Sequence, residues 1–435
     1  MKNKLTVQAA LILTAICMLF VSCSGNGSGS VRASAAERVD LVYTNPGEDC
    51  SSSIRFSWHS SESEVTLLCA KASNESFFLP KKVKCQGVFT PVAFHDGEEY
   101  YQFEAELNHL SKNTDYIYKF RFADGAESDT YAFSTADNDG EFGFLWIGDV
   151  HSVADIPHRM ELAEELAASA EVLLEGDMDL VVSTGDEVCY GAYYSAWQQW
   201  QHTFINQKVW AGIPGNHTYY DVFDGDQEIV DERWWDATQN QPMNGPEGQS
   251  SSFWFKYDSI LFIGIDCIDS SHINEQKKWF KKVIESNEGQ YQYIVVFEHY
   301  PYINSFTGSF GGTDVSFFLW QPVFDQYGVD LALSGDSHVY LESKPLYKKK
   351  VSADPEKNGT TYFVSPQIGD RAREIESYVS PELFEARITS ADLAQSSGLS
   401  AFKVTKEGMT HYLLDGDGNI VHETFIKAKR PYTGK

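Results

Sequence analysis

Two rhythms of apolar and polar residues divide the chain. Over residues 38–136, short alternating runs are separated by polar turns: Ile54-Arg55-Phe56-Ser57-Trp58, Val65-Thr66-Leu67-Leu68, Tyr100-Tyr101-Gln102-Phe103 and Tyr116-Ile117-Tyr118-Lys119-Phe120. A period of two buries one face of each strand, and their even spacing predicts an all-β sandwich with Trp58 as its core plug. From Glu141 the rhythm changes. Phe144-Leu145-Trp146-Ile147 leads to a helix over residues 157–174 and then to Leu180-Val181-Val182. Trp279, Phe280, Val283 and Ile284 share one face of a helix beginning near Asn274, ahead of Tyr293-Ile294-Val295-Val296-Phe297. Another helix, with Trp320, Phe324 and Tyr327, precedes Val329-Asp330-Leu331-Ala332-Leu333. Strands apolar throughout, interleaved with helices, predict an α/β domain over residues 137–428 whose sheets are covered on their faces.

The first residues have a different character. Lys2 and Lys4 precede an apolar run over residues 5–21 that is short for a membrane span, so residues 1–22 read as an export signal. The run ends Leu19-Phe20-Val21-Ser22-Cys23, which resembles a bacterial lipoprotein signal with Cys23 as the lipidated first mature residue. An ordinary secretory signal with a chance cysteine is the alternative. Residues 23–37, rich in Gly and Ser, read as a flexible tether. The expectation is an exported lipoprotein facing the periplasm or cell surface, on a membrane only through its lipid. Cys50, Cys69, Cys85, Cys189 and Cys267 follow the leader and allow at most two disulfides, with the pairing open.

Composition excludes some functions. With 42% hydrophobic and 14% aromatic residues the chain is not disordered. Its 34 basic against 62 acidic residues, a net charge of −28, argues against binding nucleic acid or an anionic membrane surface. A phosphorylated substrate would also be repelled at long range, so such chemistry demands local positive charge.

The α/β strands end in residues suited to supply it. The first runs into Gly148-Asp149-Val150-His151 and the second into Gly185-Asp186-Glu187. Residues 209–214 lead to Gly215-Asn216-His217, the fourth strand to Glu298-His299-Tyr300-Pro301, and the fifth to Ser334-Gly335-Asp336-Ser337-His338. Loops at the carboxyl ends of such strands converge on one crevice. Asp, Asn and His are the donors that suit Zn, Mn or Fe, and glycine lets backbone approach closely. Each motif alone more often marks a turn or a hydrogen-bonded histidine; five in this order form a joint signal.

These motifs resemble the calcineurin-like metallophosphoesterases, whose signature runs D-x-H, G-D, G-N-H, a lone His, then G-H-x-H. The closest likeness is to purple acid phosphatases and their bacterial relatives. They share a fibronectin type III-like front domain, the stretch His299-Tyr300-Pro301-Tyr302, and the tail His338-Val339-Tyr340. Leu110 with Thr114-Asp115-Tyr116 resembles the tyrosine corner of fibronectin type III domains. The implied fold is a β-sandwich followed by an α/β domain of two packed sheets flanked by helices. The resemblance further implies two divalent metal ions, of Mn, Zn, Fe or Mg. Asp149, His151, His338 and bridging Asp186 would hold one; Asp186, Asn216, His299 and the residue at 336 the other. Two cations about 3.5–4 Å apart can share a hydroxide and clamp a phosphoryl group. His217 would not ligate, but would stabilise the transition state or protonate the leaving oxygen.

Two departures from the family pattern matter. Purple enzymes carry an iron-binding Tyr three residues after the bridging Asp; here Cys189 stands there, and His151 fills a first-motif position that they lack. The expectation is a colourless enzyme with Cys189 as a pocket-wall residue. Asp336 replaces the family's His, so either it ligates as a third carboxylate or it points away and leaves the second site weakly held. Tyr190, Tyr193, Tyr194, Trp197, Tyr219 and Tyr220 either line a cleft or pack in the core. Asp415-Gly416-Asp417-Gly418 reads as a hairpin turn, and neither it nor Asp224-Gly225-Asp226 has calcium-loop spacing. Lys348-Lys349-Lys350 reads as a solvated edge, and Arg371 and Arg373 lack a placement. The expected activity is hydrolysis of small phosphate monoesters. A phosphodiesterase or nucleotide hydrolase, or a degenerate lipoprotein that binds a ligand without turnover, are the alternatives.

Overall fold

The computed structural model describes residues 38–434 apart from 90–92, 98, 154–155, 222–232, 269, 305–312, 370–371 and 376–380. The export signal, Cys23, the tether, Asp224-Gly225-Asp226 and Arg371 therefore lie outside the described residues.

The front domain is built from β1 (Val39–Pro46), β2 (Ile54–Ser60), β3 (Glu64–Lys71), β4 (Lys81–Gln86), β5 (Val88–Phe89), β6 (Tyr101–Leu107), β7 (Asp115–Phe122) and β8 (Tyr131–Ser134). One layer runs β1-β2-β6-β5 and the other β4-β3-β7-β8. Alternation drives their union: in β7 every second side chain, Tyr116, Tyr118, Phe120 and Phe122, is buried. Trp58 sits fully buried between the layers, stacked on Phe103 at 5.1 Å and tilted against Phe120 at 4.7 Å. At the expected corner, the Ser111 N–H donates to the Tyr116 hydroxyl at 2.8 Å.

The second domain continues with β9 (Phe142–Ile147), α1 (His158–Leu173), β10 (Met178–Ser183), α2 (Tyr194–Gln201), β11 (Val209–Gly212), β12 (Phe253–Tyr257), β13 (Ile260–Gly264), α3 (Ile273–Ser286), β14 (Tyr293–Phe297), α4 (Val315–Tyr327) and β15 (Leu331–Ser334). Then follow β16 (Tyr340–Ser343), the small hairpin β17 (Leu346–Tyr347) and β18 (Lys350–Val351), β19 (Thr361–Val364), β20 (Phe384–Ile388), β21 (Gly398–Val404), β22 (Gly408–Asp415) and β23 (Ile420–Lys427). Every residue of β9, β13 and β14 is buried, as strands covered on both faces require. A helix with an apolar face stops where its cap chemistry dictates. In α4 the Asp314 carboxylate accepts the Val315 N–H, and Gly328 ends the helix in the left-handed region at φ 68°.

Two sheets face each other across a shared core. The larger runs β23-β22-β21-β9-β10-β11-β1-β2-β6-β5 and the smaller β12-β13-β14-β15-β19-β16-β20. Phe144 of β9 meets Phe262 of β13 edge-on at 5.4 Å, and Phe402 stacks on Phe144 at 4.7 Å. The front domain shares the larger of these sheets with the second domain. β1 pairs in parallel with β11 at Thr44↔Val209 and antiparallel with β2, so one sheet runs through both domains. Asn45 and Gln201 bind across this seam, donating to the Trp210 and Val42 carbonyls. Pairing partners distant in sequence leave no local mark, which is why the seam was not legible from periodicity.

Candidate metal centre

Each motif sits where a parallel strand ends. Asp149 and His151 follow β9, Asp186 follows β10, Asn216 and His217 follow β11, His299 follows β14, and Asp336 and His338 follow β15. These strands run parallel within their sheets, so their carboxyl ends open on one crevice.

The loops turn sharply there. Asp149, His151, Asp186, Asp336 and His338 all have left-handed backbone, with φ of 55°, 51°, 56°, 65° and 59°. For residues with a Cβ this costs about 1–3 kcal/mol each and concentrates at functional sites. Main-chain bonds hold the turns: the Asp149 N–H donates to the Gly185 carbonyl at 3.1 Å, and the His151 N–H to the Asp186 carbonyl at 2.9 Å. The Asp336 N–H donates to the Asp149 carboxylate at 3.0 and 3.1 Å. Glycine is required between them, because a Cβ at Gly185 would stand 2.9 Å from His299 Nδ1 and one at Gly335 2.8 Å from Asp149 Oδ2.

Asp186 is central. Its Oδ2 lies 3.3 Å from His151 Nε2, 3.4 Å from His299 Nε2 and 4.0 Å from His217 Nε2, while Oδ1 accepts the His217 N–H at 2.9 Å. His338 Nε2 lies 3.5 Å from Asp149 Oδ1. Three overlapping donor groups result: Asp149, His151 and His338; His151, Asp186 and His217; and Asp149, Asp186 and His299. The ligand atoms within each group lie inside 4.8 Å of one another. Asn216 Oδ1 stands 2.9 Å from His299 Nε2. Asp336 is placed at the rim, half-exposed, with Oδ1 3.9 Å from His299 Nε2 and outside those groups. Cys189 belongs to none of them either. It contributes through its main chain, its carbonyl accepting from His217 Nδ1 at 2.8 Å.

The donor set fits cations. Buried His151 Nε2 and His338 Nδ1 have no hydrogen-bond partner among the described residues. Burial pushes the His151 imidazole down, and it takes His338 down to about 2 together with the neighbouring His151 and Arg373 charges. Both are thus neutral, the form that ligates. Burial alone would raise Asp186, yet the charges of His299 and His217 hold it well below the carboxylate range. Burial likewise opposes charging of His299, but Asp186 and its fellow carboxylates raise it to about 10. Burial lifts the Asp149 carboxyl well above its usual value.

Several orienting residues carry no mark in the sequence. The Thr184 carbonyl accepts from His299 Nδ1 at 2.8 Å, which turns Nε2 towards Asp186. The Tyr220 hydroxyl accepts from Asn216 Nδ2 at 2.8 Å and so aims Oδ1 into the crevice. Arg159, in the first turn of α1, donates to the His151 carbonyl at 3.0 Å. The aromatic run splits: Tyr194, Trp197 and Tyr219 are core residues, whereas Tyr190 and Tyr193 are half-buried. Exposed Arg373 acts on His338 through its charge. All five described cysteines are free, so none is bridged. Asp415 shapes its hairpin turn by accepting from the Asp417 and Asn419 N–H groups.

Residues 142–340 match the calcineurin-like phosphoesterase family, and residues 36–135 match the purple acid phosphatase N-terminal domain. Among solved structures, the purple acid phosphatase PPD1 from yellow lupin (Lupinus luteus) seeds is similar, with a TM-score of 0.64 at 15% identity over 90% of this chain and 74% of that one. The structure of PhoD is similar with a TM-score of 0.60 at 12% identity, over 93% of this chain and 94% of that one. At these identities the likeness is one of fold. No curated protein matches the sequence.

Proposed function

From a chain that joins a purple acid phosphatase N-terminal domain to a calcineurin-like phosphoesterase domain, we propose a two-metal hydrolase of small phosphate monoesters acting outside the cytoplasm. The observation that carries this reading is the overlap of the donor groups, which share Asp149, Asp186 and His151. Asp149, His151, His338 and Asp186 would hold one divalent ion, and Asp186, Asn216, His299 and Asp336 the other. When bound, such ions act as Lewis acids towards phosphoryl oxygens, lower the pKa of water and supply the positive charge absent from a chain of net −28.

The chain's own groups do the rest. His217 donates Nδ1–H to the Cys189 carbonyl, which leaves Nε2 facing the crevice. Burial would lower its pKa, but the Asp186 carboxylate raises it to about 9. Its Nε2 is thus placed to carry a proton that it can give to the leaving alkoxide. Residues 35–435, a compact unit, should hydrolyse a chromogenic monoester faster than the diester once loaded with Mn, Zn, Fe or Mg. His217→Asn should slow alkyl phosphates about 10²–10³-fold and a nitrophenyl ester much less, because only the former need a proton on the leaving oxygen. A faster diester reaction would move the assignment to a phosphodiesterase, and no turnover with any metal would sink the catalytic reading.

Asp336 sets the character of the second position. As a ligand it makes three carboxylates with Asp149 and Asp186, lowers the net charge against two divalent ions to about +1, and favours harder ions such as Mn or Mg. Asp336→Ala should reduce the metal content of the purified protein from about two ions to about one. Elemental analysis that finds both retained removes Asp336 from the ligand set.

Export and lipidation are supported by Lys2, Lys4, the apolar run and Cys23. Among the described residues no helix is long and apolar enough to cross a membrane. Metabolic labelling with a clickable palmitate should mark the protein and fail with Cys23→Ser. Equal labelling of both would discard the anchor.

A further inference from the structure

The acidic balance makes most of this surface repellent to anions, and one segment of the front domain departs from it. Residues 71–84 carry Lys71, Lys81, Lys82 and Lys84 against Glu75, four minus one, or +3. All five side chains are exposed. At the apex of this segment, in the turn from β3 to β4, Phe78 and Leu79 are 72% and 83% exposed.

That exposure is held, not slack. Phe77 points inward and packs with Leu68, Ala70 and Ile117, and the Lys119 ammonium lies 4.2 Å over its ring. The Asn74 side chain clasps Phe78 from both sides. Its Nδ2–H donates to the Phe78 carbonyl at 2.9 Å, and its Oδ1 accepts the Phe78 N–H at 3.1 Å. The Phe77 N–H adds a bond to the Asn74 carbonyl at 2.9 Å. Phe77 and Leu79 have φ of 51° and 48°, a region that residues with a Cβ avoid. The turn thus sustains backbone strain while presenting two adjacent large apolar side chains to solvent, where polar residues would cost less.

We propose that this tip is a docking loop for an anionic lipid bilayer. Phe78 and Leu79 enter the boundary between headgroups and acyl chains, and the ammonium groups of Lys71, Lys81, Lys82 and Lys84 meet lipid phosphates. A bilayer is a plane of negative charge over an apolar layer, which is the order that the loop presents from its lysines to its tip. Charge complementarity therefore selects a membrane, with Glu75 the one opposing side chain in the segment.

Co-sedimentation of residues 35–435 with vesicles of equimolar phosphatidylglycerol and phosphatidylcholine tests this, with phosphatidylcholine alone as the comparison. The protein should bind the anionic vesicles, more weakly as salt is added. Binding should fall about tenfold in the Phe78→Ser, Leu79→Ser double variant and about as far in the Lys81→Glu, Lys82→Glu variant. All four side chains are exposed, so melting temperature should stay at the parent value, which separates a lost contact from a lost fold. The readout does not involve the metal centre, so its failure and a failure of the phosphoesterase reading are distinct. Binding that survives both double variants overturns the proposal, as does absence of binding by the unchanged protein. Absence accompanied by a stoichiometric protein partner lost with Phe78→Ser reassigns the loop to a protein interface.

Discussion

Asp186→Asn should abolish phosphoesterase turnover, lowering kcat/KM by at least about 10³-fold, or about 4 kcal/mol of transition-state stabilisation. The substitution is nearly isosteric, so Oδ1 can still accept the His217 N–H that it now holds at 2.9 Å. What changes is the second carboxylate atom. An amide there places N–H groups opposite His151 Nε2 and His299 Nε2, which stand 3.3 and 3.4 Å from the native oxygen. The negative charge that both proposed metal positions share is removed as well, so metal content should fall with activity. Circular dichroism should show the fold retained. Turnover within about tenfold of the parent would mean that Asp186 does not bridge, since loss of a shared ligand cannot be so mild.

Gly215→Ala tests the same atom from the backbone. Gly215 has ordinary extended backbone at φ −101°, so an alanine is not excluded by conformation. It is excluded by space. A Cβ there would lie 2.1 Å from Asp186 Oδ1 and 2.6 Å from the Asp186 nitrogen, well inside contact distance. Either the carboxylate swings away or the turn after β11 shifts, and both break its bond to the His217 N–H. A displacement near 1 Å at such a site costs about 10²-fold in rate, while overpacking costs about 1–3 kcal/mol of stability. Gly289→Ala is the matched control. Gly289 has φ 75° with nothing within 4 Å of its would-be Cβ. It should lose about 1 kcal/mol from backbone strain alone and keep full turnover. If Gly215→Ala turns over within a few-fold of the parent, the crevice is looser than this geometry requires.

The two variants probe different kinds of information, one carried by residue type along the chain and the other by which strands adjoin. Asp186 was visible in the linear chain because a buried apolar strand ending in Gly-Asp is a local pattern. The same holds for Gly215-Asn216-His217 and for the pair Asp149 and His151, since ligand chemistry resides in residue type and strand ends follow from hydrophobic runs. By contrast, Gly215 as a neighbour of Asp186 Oδ1 depends on β10 and β11 lying side by side in parallel, and no periodicity states which strands pair.

Three other features belong to the second kind. The Thr184 and Cys189 carbonyls orient His299 and His217, but every residue has a carbonyl, so residue type carries no signal for that role. Left-handed backbone at five of the site residues arises from the closure of loops against one another, since Asp and His do not require it as a glycine-demanding turn would. The pairing of β1 with β11 joins residues far apart in the chain, and turns a front domain that reads as separate into part of one sheet. By itself the sequence determined composition, periodicity and donor identity, because these are properties of neighbours along the chain. Only the tertiary structure decided which strands adjoin, which carbonyls aim the imidazoles and where Asp336 stands, because those depend on long-range packing that closes only when the whole core is assembled.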